Sequence, residues 1–87
     1  MALSVDIVTP EASLYSGEAR SVSLFTVEGS VGLYPDHEPI LSMLRPCKVS
    51  VIDMSGNRLE IPVGGGFVSF DSNTITVIAD PVDAPGG

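Results

Sequence analysis

Apolar residues recur at every second position through most of this 87-residue chain, and no stretch holds a helical repeat for three turns. Period two places alternate side chains on opposite faces of an extended strand, whereas a helix needs apolar residues three and four apart. Leu3, Val5 and Ile7 alternate with Ser4 and Asp6 until Pro10 stops the run. A short strand around 13–19 is expected to break at Gly17. Val22, Leu24 and Thr26 then share one face, with Phe25 and Val27 on the other, which predicts cover on both sides. Glu28-Gly29 reads as a hairpin tip or bulge, because strand residues resume at once. Val49 and Val51, the turn Ser55-Gly56-Asn57, and then Leu59, Ile61 and Val63 form the clearest local unit. Pro62 lacks an N–H, so its strand lies at an edge or turns that side away from the ladder. Val68 and Phe70, a turn at 71–73, then Ile75 and Val77 make a second hairpin. Phe67 and Phe70 differ in parity, so one belongs to the core and the other to the surface. Residues 39–45 leave room for one helical turn at most.

The fold class is therefore all-β, a flattened β-sandwich or barrel of short, mostly antiparallel strands. One sandwich domain is expected over residues 1–80. Proline and glycine dominate 81–87, which reads as a flexible tail.

The lone Cys47 excludes an intramolecular disulfide and reads as a small strand residue, buried or half-buried. Four Lys+Arg against eleven Asp+Glu give a net charge of -7. Such a surface repels phosphate backbones and anionic headgroups, which argues against nucleic acid and polybasic membrane attachment. The first residues lack the basic and apolar regions of a secretory signal, and no apolar run approaches the ~20 residues that cross a bilayer. Yet hydrophobic residues make up 44% and mean hydropathy is +0.35. That richness implies either a dense core or apolar surface that faces a partner.

The sole histidine, His37, lies within "GLYPDHEPIL". Adjacent side chains of Asp36, His37 and Glu38 on an extended chain cannot converge on one atom, and no nucleophile elbow accompanies them. One His and one Cys fall short of a metal site. Catalysis, metal and cofactor are thus not expected. The glycines of "VGGGF" match no phosphate-loop spacing, and glycine inside a strand marks a bulge or close backbone approach. Pro35 and Pro39 are expected to hold their loop extended and stiff, suiting it either to docking or to crossing between sheets.

The stretches "VDIVTPEASLYSGEARSV", "EGSVGLYPDHEPIL", "VGGGFVSF" and "TITVIAD", in that order, resemble the amino-terminal β-sandwich domain of the epsilon subunit of F-type ATP synthase. The middle stretch is the most specific. The family reads there as Glu-Gly, a small acidic or polar residue, then Gly-aliphatic-aromatic-Pro, one residue, His, one residue, Pro. The resemblance implies a non-catalytic central-stalk subunit that links the gamma subunit to the membrane c-ring and couples proton-driven rotation to ATP synthesis. It further implies a site on the cytoplasmic face of the energy-transducing membrane, touching membrane only through the complex and alpha and beta only indirectly. Carried onto this sequence, Glu28, Gly29, Ser30, Val31 and Gly32 would face the polar loops of the c-ring. His37 and Ser42 would contact gamma. Ser30 stands where many members carry an acidic residue, and Cys47 at a turn position often held by glycine. Members commonly continue into a C-terminal helical hairpin; a naturally short form without it is expected, with neither helix-extension inhibition nor a hairpin ATP site. The alternative is a stand-alone β-sandwich binding module for a protein or small ligand, although an aromatic content of 6% without tryptophan weakens sugar stacking.

Overall fold

The alternation resolves into six strands in the computed structural model, which describes residues 2–82. They are β1 (Leu3–Val8), β2 (Ser13–Thr26), β3 (Gly29–Leu33), β4 (Ile40–Asp53), β5 (Arg58–Asp71) and β6 (Thr74–Ala79). The sheet order is β1-β6-β5-β4-β2-β3, and β1 also pairs with β2. Five strands thus close on themselves, while β3 lies along β2. Only the β1–β6 pairing is parallel. The body measures 42 × 27 × 20 Å, a flattened barrel or sandwich, as the pattern predicts. Of the expected tail, 83–87 lie outside the described residues.

Closure requires the 14-residue strands β2, β4 and β5 to serve different neighbours along their lengths. β2 pairs with β1 through Ser13–Ala19 and with β3 and β4 beyond it. The expected break at Gly17 is absent, because Gly17 sits opposite Val5 in a continuous ladder. Residues 40–45 are strand rather than helical turn. Pairing Ile40 to Phe70 and Leu44 to Gly66 satisfies backbone groups that one isolated turn would leave open. Pairing of β5 with β6 begins only at Gly66, so Pro62 lies on a free edge of β5, as its missing N–H demands.

The core contains the predicted inward set: Leu3, Val5, Ile7, Val22, Leu24, Val49, Val51, Val68, Phe70, Ile75 and Val77. Phe70 is buried and Phe67 is 51% exposed, as their parity requires. Cys47 is half-buried within β4 opposite Val63, so the family's turn position is strand here.

At the corner of the body the parity of two neighbouring strands inverts. The inward residues of β4 are even-numbered at Leu44 and odd-numbered at Val49 and Val51. Those of β5 switch from Val63 to Val68, and away from this corner those of β2 switch from Ala19 to Val22, opposite Ile52 and Asp53, where the ladder to β4 shifts register. A one-residue bulge moves every following side chain to the other face. Gly65 sits in this corner with φ +105, a backbone that strains any residue with a Cβ. The expectation that the glycine run marks a bulge and close approach holds: Gly64 N–H donates to Asp80 O at 2.8 Å, and Asp80 N–H to Gly65 O at 2.9 Å.

Candidate docking surfaces

The β2–β3 hairpin turns at Val27 and Glu28, and a buried hydroxyl shapes it. Thr26 is 1% exposed; its Oγ1 donates to Gly29 O at 3.1 Å and accepts from Glu28 N–H at 3.1 Å. Both bonds offset the cost of burying the group and hold the tip in one geometry. Glu28, Gly29 and Ser30 are left exposed at the end of the molecule.

Beside the tip lies an open groove of ≈ 430 Å³ that Glu28, Val31, His37, Leu41 and Ser42 help to line. Ser42 Oγ donates to Glu28 Oε1 at 3.3 Å. Glu28 and Val31, read as c-ring contacts, and His37 and Ser42, read as gamma contacts, therefore meet in one groove. Ser30 and Gly32 do not join them. They line a second groove with Lys48 and Arg58.

The loop carrying His37 is a turn, which corrects the expectation of an extended segment. His37 N–H donates to Tyr34 O at 3.2 Å, and Asp36 adopts φ 68. Pro35 favours the first central position of such a turn, and Asp tolerates the left-handed second one. Stiffness comes instead from a brace across the fold. Asp36 N–H donates to Asn73 Oδ1 at 2.6 Å, and Asn73 lies in the β5–β6 turn. His37 Nδ1 is 2.8 Å from Glu38 O, and its ring meets buried Phe70 edge-on, centroids 5.7 Å apart. The imidazole is exposed, held and available to a partner.

The largest feature went unread in the sequence. Met43, Phe67 and Ile78 lie directly opposite one another on β4, β5 and β6. All three point outward and are exposed at 53%, 51% and 57%. Leu41, at 76%, extends the row along β4, and Val27 adjoins it through a 3.0 Å bond from its N–H to Met43 O. The second cover predicted for Phe25 and Val27 is not supplied by the described residues, which leave both about half exposed. Parity alone could have placed Phe67 outside. For Leu41 and Met43 the corner inversion hid the signal.

No group of three or more His, Cys, Asp or Glu among the described residues is placed to hold a metal, and no helix among them is long and apolar enough to cross a membrane. A strand-only body with a braced polar end and an open apolar face defines a β-sandwich interaction domain. The sequence pattern described as the β-sandwich domain of the ATP synthase delta/epsilon chain matches residues 2–84, and the chain belongs to that family. It is 39% identical over 82 residues to the ATP synthase epsilon chain of Rhodococcus erythropolis and 38% identical over 85 residues to that of Nocardia farcinica. Those matches cover 93% and 97% of this chain but 67% and 65% of the relatives' lengths. Its fold superposes on a chain of the Euglena gracilis mitochondrial ATP synthase with a TM-score of 0.84, at 16% identity, covering 90% of this chain and 50% of that one. A chain from the Tetrahymena thermophila mitochondrial ATP synthase central stalk and c-ring gives 0.73 at 17%, covering 92% and 64%.

Proposed function

We propose that this chain forms the β-sandwich unit of an epsilon-type central-stalk subunit, with residues 1–80 as the unit and 81–87 as its tail. It is non-catalytic, held between gamma and the polar loops of the c-ring on the cytoplasmic face of the membrane, and transmits proton-driven rotation. The observation that carries this reading is the outward Met43–Phe67–Ile78 row, which gives a stalk subunit an apolar seat on gamma. The tip from Glu28 to Gly32, exposed except at half-buried Val31, then points toward the c-ring loops. His37 and Ser42 contribute at the gamma side, where their groove abuts Leu41. The stand-alone binding module, the other reading of the sequence, lacks any comparable support beside the family match.

Calorimetry with purified gamma tests the seat: a saturable equimolar complex is expected, and no heat of binding would overturn it. The tip is tested in membrane vesicles. Glu28→Lys reverses a charge at an interface rim, about 1–2 kcal/mol, or roughly five- to thirty-fold weaker engagement at low salt. Proton-driven ATP synthesis should drop accordingly, and the wild-type advantage should shrink as salt screens the contact. Asp71→Lys, in the β5–β6 turn, should leave synthesis within about twofold. Equal losses from both substitutions would remove the tip from the c-ring.

A further inference from the structure

The chain carries only four Lys and Arg, yet two of them, Lys48 and Arg58, line one groove of ≈ 250 Å³ on the outer face of β3, β2 and β4. Ser23, Ser30 and Ser50 line the same groove, with Leu24 at its base. Register explains the convergence. Ser23 sits opposite both Gly32 on β3 and Ser50 on β4, so a row of small residues crosses three strands. Lys48 stands two residues from Ser50 along β4, on the same face. Arg58 sits opposite Ile52, two residues beyond Ser50 on the other side. The two long cationic side chains thus flank a row of hydroxyls, and the Tyr34 ring closes the row at its Gly32 end.

We propose that this groove binds a tetrahedral oxyanion, a phosphate either free or borne by a small molecule. A planar carboxylate offers two oxygens, fewer than this groove can use. Two cationic heads and three hydroxyls, spread around one small hollow, match three or four acceptor oxygens pointing in different directions. A guanidinium and an ammonium are also the side chains that hold phosphate most strongly. The setting is otherwise hostile, since the chain as a whole is at -7, so any anion held here is held by local geometry. Glu60, opposite Ser50 on β5, is the nearest carboxylate in the register and opposes the ligand. The groove lies along the β2–β3 hairpin and shares Ser30 and Gly32 with the proposed c-ring contact, but phosphate binding to the isolated chain is read without gamma or the c-ring, so either reading can fail alone.

Amide chemical shifts report binding residue by residue. Inorganic phosphate and glycerol phosphate are titrated into the whole chain at fixed pH and ionic strength, with chloride as the balancing anion. Saturable shifts clustered at Ser23, Ser30, Lys48 and Ser50 are expected for at least one of them, and the tighter of the two identifies free or esterified phosphate as the ligand. The double substitution K48M/R58Q should weaken binding at least tenfold with an otherwise unchanged spectrum. Glu60→Gln should tighten it about threefold. If the double variant does not fold, the Glu60→Gln tightening alone carries the test. Shifts that never saturate, that are spread over the surface, or that a glutamate-rich peptide reproduces at the same concentration overturn the phosphate site.

Discussion

Gly66→Ala should lower the stability of this domain by about 4 kcal/mol, a large fraction of the ~5–15 kcal/mol that holds a small domain folded. Two effects add. Gly66 has φ +129, a backbone region that costs a residue with a Cβ about 1–3 kcal/mol. A Cβ there would also lie 2.9 Å from Ala79 Cα and 3.0 Å from the Ile78 carbonyl carbon, and backbone on the neighbouring strand cannot move aside as a side-chain end could. Forcing β5 and β6 apart costs about another 1–3 kcal/mol of packing. Gly66 and Ala79 are register partners at the point where β6 pairing begins, so the ladder starts at the site of the clash. Gly56→Ala isolates the first effect, since Gly56 has φ +87 and nothing within 4 Å of its Cβ position. Thermal melts are the measurement. At roughly 4–8 °C per kcal/mol for a domain of this size, Gly66→Ala should lower Tm by about 15–30 °C, and Gly56→Ala by less than half as much. Equal shifts would mean that close approach of the strands contributes nothing.

Phe67→Asp should abolish most binding to gamma while leaving the fold intact. Phe67 is half exposed in the centre of the outer row, with Met43 on one side and Ile78 on the other. An aromatic residue at the centre of an apolar interface contributes about 2–4 kcal/mol, and a carboxylate in its place must also be desolvated without a partner. Affinity should therefore fall by roughly a hundredfold or more. Little native packing is lost, because the ring points away from the core that Val68 and Phe70 occupy. The control is Leu14→Asp, an apolar residue exposed at 40% on the part of β2 that pairs with β1. It should change affinity by no more than about twofold. Calorimetry reads both variants, and a parallel melt confirms that each is folded. A Phe67→Asp protein that binds gamma as tightly as the Leu14→Asp protein would relocate the seat.

At His37 the local picture read from the sequence was incorrect. Two prolines suggested an extended stiff loop, yet the segment is a turn, and its rigidity depends on Asn73, thirty-seven residues beyond Asp36. No local pattern carries that partnership. Thr26 is similar: its polar side chain fitted the inward parity of Val22 and Leu24, but its work at the tip depends on Gly29 O lying within reach.

Strand class, the hairpin turns at 55–57 and 71–73, most inward core residues and the proline-tolerant edge were legible in the sequence alone. Each follows from an interaction between near neighbours, whether alternation of faces, restricted φ or a missing N–H. Which strands close the barrel, and which apolar residues remain outside it, were decided only by the tertiary structure. The corner around Gly65 inverts parity within β4 and β5, so Leu41 and Met43 face solvent although Val49 and Val51 of the same strand face the core. A bulge is a property of two paired strands, and until the pairing exists the face that a residue will occupy is undetermined.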